Sequence, residues 1–227
     1  SEMCIRDRPY TPSRGFYTTD AFTDSALRFL GESDAKDQPF FLYVAYTVPH
    51  YPLHAPPEDI ARYRGKFLSG WDELRKKRLE RMKRLGLVDG NLELPPRNRH
   101  APAWDDVDDK NAWDLKMAVY AAMIDRVDQN LGRLFALLDE LGLADDTAVF
   151  FTSDNGGLAT SEGSPTCNAP LAEGKGWMYE GGTREPLLVR RPGNIAAGDT
   201  CDSPVTSPDF YPTLLDLAGL DPLPAQH

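Results

Sequence analysis

The chain has 227 residues, 41% of them hydrophobic and 26% charged, which is the balance of an ordinary globular protein with one sizeable core. Its net charge of -10 argues against general nucleic-acid binding, and no window holds the roughly eighteen uninterrupted apolar residues of a membrane helix. Cys4, Cys167 and Cys201 are too few and too scattered for a disulfide framework or a metal-ligand motif, and no basic-then-apolar signal peptide is present, so composition alone names no compartment.

Residues 1–9 are a charged run without periodicity and are expected to be a frayed or non-native leader, extending to residue 15. Thr18 or Thr19, followed by Asp20, offers a helix N-cap. Ala21, Phe22, Ala26, Phe29 and Leu30 then keep helical spacing up to Gly31. Phe40–Tyr46 reads as a buried strand, and the proline-rich TVPHYPLHAP after it as a rigid loop. Pro57–Tyr63 is predicted as a short helix. Gly70–Leu85 is predicted as a charged one, with Leu74, Leu79, Met82 and Leu85 facing inward.

Segment 86–109 is a proline- and charge-rich excursion of the kind that carries specificity. The longest helix follows, with Met117, Tyr120, Ala121, Ile124, Val127, Leu131, Leu134, Phe135, Leu138 and Leu141 recurring at three and four and Gly142 as its cap. It leads into TAVFFTSDNGG, an apolar strand expected to be buried on both faces, and helix-then-strand favours a parallel sheet. A short strand over Pro186–Val189 and a last helix over Ser207–Leu217, with Pro208 in its first turn, complete the elements.

Three places carry chemistry. Asp154 and Asn155 stand past the carboxyl end of one strand, where open α/β sheets bind ligands, and their oxygens suit a hard cation. Asn155-Gly156 is equally the composition of a tight turn. His50 follows the other strand, and Lys175 lies between Gly174 and Gly176, which let its backbone approach a ligand closely. Gathered in one pocket, cation, lysine and histidine suit a phosphate or sulfate ester. Separately, a histidine after a strand or a lysine between glycines is most simply structural. Arg75, Lys76, Lys77, Arg78, Arg81, Lys83 and Arg84 form a basic run that reads either as a solvated helix face or as a site for an anionic polymer.

Several segments in order carry a resemblance: FYTTDAFTDSALRFL, PFFLYVAYTVPHYPLHAP, MAVYAAMIDRVDQNLGRL, TAVFFTSDNGG, GKGWMYEGGTREPLLVRRPG and SPDFYPTLLDLAGL. Over residues 16–220 the chain resembles the sulfatases, in particular bacterial arylsulfatases, of the alkaline-phosphatase-like superfamily. The resemblance implies a three-layer α/β sandwich around a mostly parallel sheet. It implies that Asp154 and Asn155 are two ligands of a Ca²⁺ ion, that His50 lies near the leaving oxygen of a sulfate ester, and that Lys175 holds a sulfate oxygen. The partner is then a small-molecule or carbohydrate sulfate ester rather than nucleic acid or membrane, and the compartment periplasmic or extracellular.

The departures are equally specific. Family members carry an Asp-Asp pair at the end of their first strand, a C-x-P-S-R segment whose cysteine becomes the formylglycine nucleophile, and a later Lys-x-His pair. This sequence has no C-x-P-S-R and no Lys-x-His, and its Asp-Asp pairs, at 105–106, 108–109 and 145–146, do not stand at the end of a first strand. Tyr10-Thr11-Pro12-Ser13-Arg14 mimics the second, with tyrosine in the place of cysteine and in the wrong sequence context. The expectation is a partial catalytic domain over 16–220 with a truncated tail over 221–227, inactive by itself. The alternatives are a phosphodiester or phosphonate ester hydrolase of the same superfamily and a non-catalytic protein that binds a sulfated polysaccharide.

Overall fold

The structure is a computed structural model that describes residues 3–5, 8–32, 38–98, 101–159 and 166–221. In chain order the elements are β1 (Met3–Ile5), β2 (Arg8–Tyr10), α1 (Thr18–Glu32), α2 (Pro57–Tyr63), α3 (Gly70–Arg84), a 3₁₀ turn at Trp104–Asp106, α4 (Lys110–Glu140), β3 (Val149–Thr152), α5 (Glu180–Thr183), β4 (Leu187–Arg190) and α6 (Ser207–Leu217).

α4 is the spine. Asp109 caps it by accepting from the Ala112 amide, and Gly142, at φ 71°, takes the left-handed conformation just past its end. Its buried stripe is Ala118, Ala122, Met123, Val127, Asn130, Leu134 and Leu138. The small residues let neighbours approach: Ala122 and Met123 form one cluster with Ala55, against which Val48, Leu53 and Ile60 pack. Leu134 and Leu138 form another with Ala26 and Leu30 of α1.

Between the apolar clusters runs a charged seam. Asp59 of α2 is fully buried and accepts from Gln129 of α4 at 3.1 Å, with Arg126 at 3.4 Å. Arg126 also grips Asp20 of α1 with two hydrogen bonds, at 2.8 and 2.7 Å, and Asn130 donates to Asp20 at 2.8 Å. Asp114, also buried, accepts from the amides of Gly65 and Phe67 and closes the turn after α2. Satisfied in this way, the buried carboxylates fix the register of three helices.

Several expectations are corrected. Among the described residues, segment 40–46 forms no ladder. Phe40, Leu42 and Val44 pack against the α1–α4 cluster while Phe41 and Tyr43 are 75% and 80% exposed. Burial on both faces needs a layer on each side, and among the described residues the helices supply one. β3 is likewise half-buried at Val149 and Phe150 and exposed at Phe151 and Thr152. It pairs antiparallel with β4, Thr152 opposite Leu187, rather than in the expected parallel sheet.

On α4 the buried stripe shares Val127, Leu134 and Leu138 with the predicted one but otherwise runs through Ala118, Ala122, Met123 and Asn130, so that Ile124 and Phe135 are exposed at 47% and 39%. Leu79 of α3 is buried as expected, but Leu85 is exposed. Segment 86–109 is less irregular than its composition indicates, since Trp104 is buried and its indole donates to the Leu68 carbonyl. Backbone 3–5 and 8–10 pairs as a short antiparallel hairpin where fraying is expected. The predicted tail falls, except for residue 221, outside the described residues.

Burial alone would raise the Asp20 carboxyl, but hydrogen bonds from Arg126 and Asn130 outweigh it and hold the group below its ordinary 3.8. A depressed folded value stabilises fully above the unfolded value, and that contribution is lost as pH falls through the folded one. Urea melts across the acid range should show a stability loss below about pH 4 that is shallower in Asp20→Asn. An identical slope in the variant would show that the seam carries no stability.

Candidate functional site

The site is built where two stretches of backbone touch, 153–158 after β3 and 166–183 before β4. The Gly156 amide donates to the Gly182 carbonyl at 3.2 Å, the Lys175 amide to the Gly157 carbonyl at 3.2 Å, and the Thr166 amide to the Leu158 carbonyl at 3.2 Å. Asn168 fastens the centre, its amide donating to the carbonyls of Gly157 at 2.7 Å and Glu173 at 2.9 Å.

This closeness requires glycine. A Cβ at Gly156 would collide with the Gly181 carbonyl, one at Gly174 with the Gly157 carbonyl, and one at Gly181 with the carbonyls of Ala172 and Glu173. Gly174 therefore lets backbone approach backbone, not ligand as its place beside Lys175 led one to expect. Gly176 differs again: its φ of 86° turns the chain, with the Trp177 amide closing the turn onto the Gly174 carbonyl at 3.0 Å.

The knot aims Lys175 at His50. Lys175 Nζ lies 3.4 Å from His50 Nε2, across 125 positions of sequence. His50 Nδ1 is 2.7 Å from the Tyr51 carbonyl, which can only accept, so Nδ1 carries the proton and Nε2 offers its lone pair to the ammonium. The loop carrying His50 is held by Val48, Leu53 and Ala55 against α4, and by the Tyr17 hydroxyl donating to the His54 carbonyl at 2.9 Å.

Asp154 and Asn155 lie in the first stretch and Lys175 in the second, while His50 stands on a separate loop and meets the junction through the Lys175 side chain. Among the described residues, the side-chain contact within the quartet is that of His50 with Lys175. Asn155-Gly156 is no hairpin turn: Gly156 is buried in the junction, and the chain continues into 166–183 rather than into a paired strand.

Asp154 is exposed, and its charge acts on Glu185, a residue the sequence reading passed over. Burial first and the Asp154 charge second push the Glu185 carboxyl up, partly offset by the Ser153 hydroxyl. The one available signal was an acid placed directly before a strand, in TREPLLV. Asp154 and Glu185, whose charges act on each other, and Asn155, next to Asp154 in sequence, carry the donor types of part of a hard-cation shell. Among the described residues, no group of three or more His, Cys, Asp or Glu side chains is arranged to hold a metal, so they do not fit a complete one.

The basic run on α3 is partly committed to structure. Arg75 donates to the Pro95 carbonyl at 2.8 Å, and Arg78 to the Ala169 carbonyl at 2.7 Å, beside the junction. Two of its seven cations therefore act as tethers within the chain.

Comparison with known proteins follows this geometry. The pattern that defines the sulfatase family matches residues 4–220. The chain belongs to the sulfatase family. Among sulfatases, it is 33% identical over 242 residues to an uncharacterised one of Schizosaccharomyces pombe, covering 90% of this chain and 44% of that protein. It is 28% identical to an arylsulfatase of Klebsiella aerogenes, covering 91% and 52%. The chain thus spans about half the length of these relatives.

Solved structures superpose on it. Ps i-CgsB, crystallised with k-i-k-neocarrahexaose, gives a TM-score of 0.70 at 29% identity over 100% of this chain and 39% of its own. BT4656, bound to its substrate D-glucosamine-2-N,6-O-disulfate, gives 0.65 at 25% over 96% and 51%. A phosphonate monoester hydrolase of Silicibacter pomeroyi shares the fold more distantly, with a TM-score of 0.51 at 22% identity over 90% and 38%.

Two outcomes test the junction. Gly181→Ala should cost about 1–3 kcal/mol in urea melts, as overpacking does, whereas Gly132→Ala, on an open face of α4, should be neutral or stabilising; equal effects would disprove close packing at Gly181. Because the Glu185 value is raised above its ordinary 4.5, its ionisation destabilises the fold as pH rises through the folded value. In chelator-treated protein, Glu185→Gln should melt higher than wild type at pH 7 and level with it at pH 4. A variant that melts lower at pH 7 would contradict the assignment.

Proposed function

We propose that the whole protein hydrolyses sulfate esters and that His50, Lys175, Asp154 and Asn155 belong to its catalytic centre. The observation that carries the reading is the 3.4 Å contact of Lys175 Nζ with His50 Nε2 at the junction that also holds the acid and amide after β3. Membership of the sulfatase family supports the reaction class. We propose further that the whole protein completes the three-layer sandwich and that its ester is borne by a small molecule or a carbohydrate.

The ammonium of Lys175 binds a sulfate oxygen and neutralises charge that grows as the S–O bond breaks. His50 works at the leaving oxygen through Nε2, because Nδ1 is held by the Tyr51 carbonyl in both protonation states. The proton delivered to the departing alcohol is therefore the one on Nε2 of the imidazolium form, in which Nε2 donates rather than accepts from Lys175. The glycine junction supplies orientation by holding the Lys175 amide on the Gly157 carbonyl. Asp154 and Asn155 would contribute two oxygens to a Ca²⁺ ion, which when bound supplies further positive charge beside the sulfate. The nucleophile, a formylglycine in this proposal, is no residue of this sequence, so the 227 residues alone should show little turnover.

Phosphonate and phosphodiester hydrolysis is the neighbouring reaction, and its solved representative is the more distant match. In a steady-state assay of the protein from its complete reading frame, 4-nitrophenyl sulfate should be hydrolysed in preference to phenyl 4-nitrophenyl phosphonate. His50→Ala and Lys175→Ala should each lower kcat/KM on the sulfate by about 10²–10³. Preference for the phosphonate would transfer the protein to the neighbouring reaction, and wild-type rates in both variants would remove these residues from the site.

A further inference from the structure

Asn168 stands at the centre of the backbone that carries Lys175. Its side-chain nitrogen Nδ2 has two hydrogens and uses both, donating to the Gly157 carbonyl at 2.7 Å and to the Glu173 carbonyl at 2.9 Å. The reverse orientation of the amide would set Oδ1 against two carbonyl oxygens, so the network fixes which way it faces. The Gly157 carbonyl also accepts from the Lys175 amide, at 3.2 Å. Its two lone pairs therefore serve Asn168 and Lys175, and the side chain secures the oxygen from which the lysine hangs. On the other side of Gly174 the same nitrogen holds Glu173, the residue at φ 59°. A conformation of that kind persists where surrounding contacts over-determine it.

The amide occupies a slot bounded by glycine. A Cβ at Gly157 would come within 2.8 Å of Asn168 Oδ1, and one at Gly174 within 2.6 Å of Nδ2. The backbone of Asn168 is fixed in its turn. Its carbonyl accepts from the Leu171 amide at 3.0 Å, and Arg78 Nη2 of α3 donates to the next carbonyl, that of buried Ala169, at 2.7 Å across 91 positions of sequence. A guanidinium makes that bond stronger than one between neutral groups.

We propose that Asn168 is a positioning residue for Lys175 and that Arg78 sets Asn168 from α3. The inference rests on the reading of Lys175 as the group that binds a sulfate oxygen. The ammonium rides on a flexible four-carbon stem, so its reach to His50, at 3.4 Å, depends on where the Lys175 backbone is held. Loss of the Asn168 amide frees the carbonyls of Gly157 and Glu173, the one that holds Lys175 and the one that precedes Gly174. A displacement of about 1 Å at a reacting group is enough to cost about a hundred-fold in rate. α3 thus acts on the reaction through Ala169, Asn168 and the Gly157 carbonyl.

The test is a double-mutant cycle in the protein from its complete reading frame, assayed with 4-nitrophenyl sulfate. Asn168→Ala should lower kcat/KM by about ten- to hundred-fold. In a Lys175→Ala background the same substitution should change it by less than about two-fold, because a residue that acts through the lysine has nothing left to place. Arg78→Ala should show the same coupling with a smaller loss, and Arg78→Lys, which keeps a cationic donor for the Ala169 carbonyl, should recover most of it. This milder pair decides the question if Asn168→Ala does not fold. Wild-type rates in Asn168→Ala, or equal losses with and without Lys175, would overturn the positioning role and leave the sulfate reading of Lys175 standing, since a merely structural residue lowers activity in either background. A Lys175→Ala protein as fast as wild type would overturn both readings.

Discussion

Everything at this site depends on how closely two strands of backbone can pass. Gly156 and Gly174 meet carbonyl groups of the opposite stretch, and Gly181 and Gly182 carbonyl groups of their own, at distances that admit no side-chain carbon, and the hydrogen bonds of Gly156 and Lys175 run across the gap. Side chains that must act together could be brought close by long flexible arms, at a cost in rotamer entropy on every cycle. Here the backbones are brought together instead, so that Lys175 arrives already fixed at its amide. Glu173, at φ 59°, is the non-glycine residue held in the left-handed region beside this knot. Such strain persists where surrounding contacts over-determine the conformation.

The helices serve the same end from the other side. His50 sits on a loop whose anchors are Val48, Leu53 and Ala55 against the small residues of α4, and whose far end is held by Tyr17. α4 is locked to α1 and α2 by Arg126 between Asp20 and Asp59. Buried ion pairs are a poor source of net stability, but unpairing one is costly, so such a seam enforces register. The position of the imidazole is thus set by a charged seam among helices, and that of the ammonium by a glycine knot between strands. Arg78, donating to the Ala169 carbonyl, ties α3 to the loop next to that knot.

How much of this was legible in the sequence differs by type of signal. Helices were readable because their periodicity and stop signals are local: α2 and α6 occupy the predicted ranges, and α4 ends at Gly142. Which face of α4 is buried was not, because small and polar residues such as Ala118, Ala122 and Asn130 outrank Ile124 and Phe135 once Arg126 and its partners fix the rotation. The apolar runs at 40–46 and 149–152 announced strands buried on two sides. Burial, however, is a property of neighbours, and among the described residues these runs have one covered face.

The four polar residues were nameable in advance through resemblance and strand-end logic; the backbone joins the segments of Asp154, Asn155 and Lys175, and His50 meets them by the side chain of Lys175. Glu185 escaped because nothing local distinguishes an acid before a strand from any other surface acid; its meaning comes from Asp154 through space. The roles of Gly156, Gly181 and Gly182 escaped for the same reason, since a glycine's need for close approach is written in the backbone it meets.

The account's central claim is that Lys175 and His50 face each other at this junction. The protein has four histidines, so a long-range ¹H–¹⁵N NMR spectrum of the 227-residue chain resolves its imidazoles individually. His50 should appear as the Nδ1–H tautomer, and Lys175→Ala should shift the His50 Nε2 resonance while leaving that of His54 in place. A His50 signal unmoved by loss of the lysine, or one showing the proton on Nε2 in the neutral form, would contradict the arrangement.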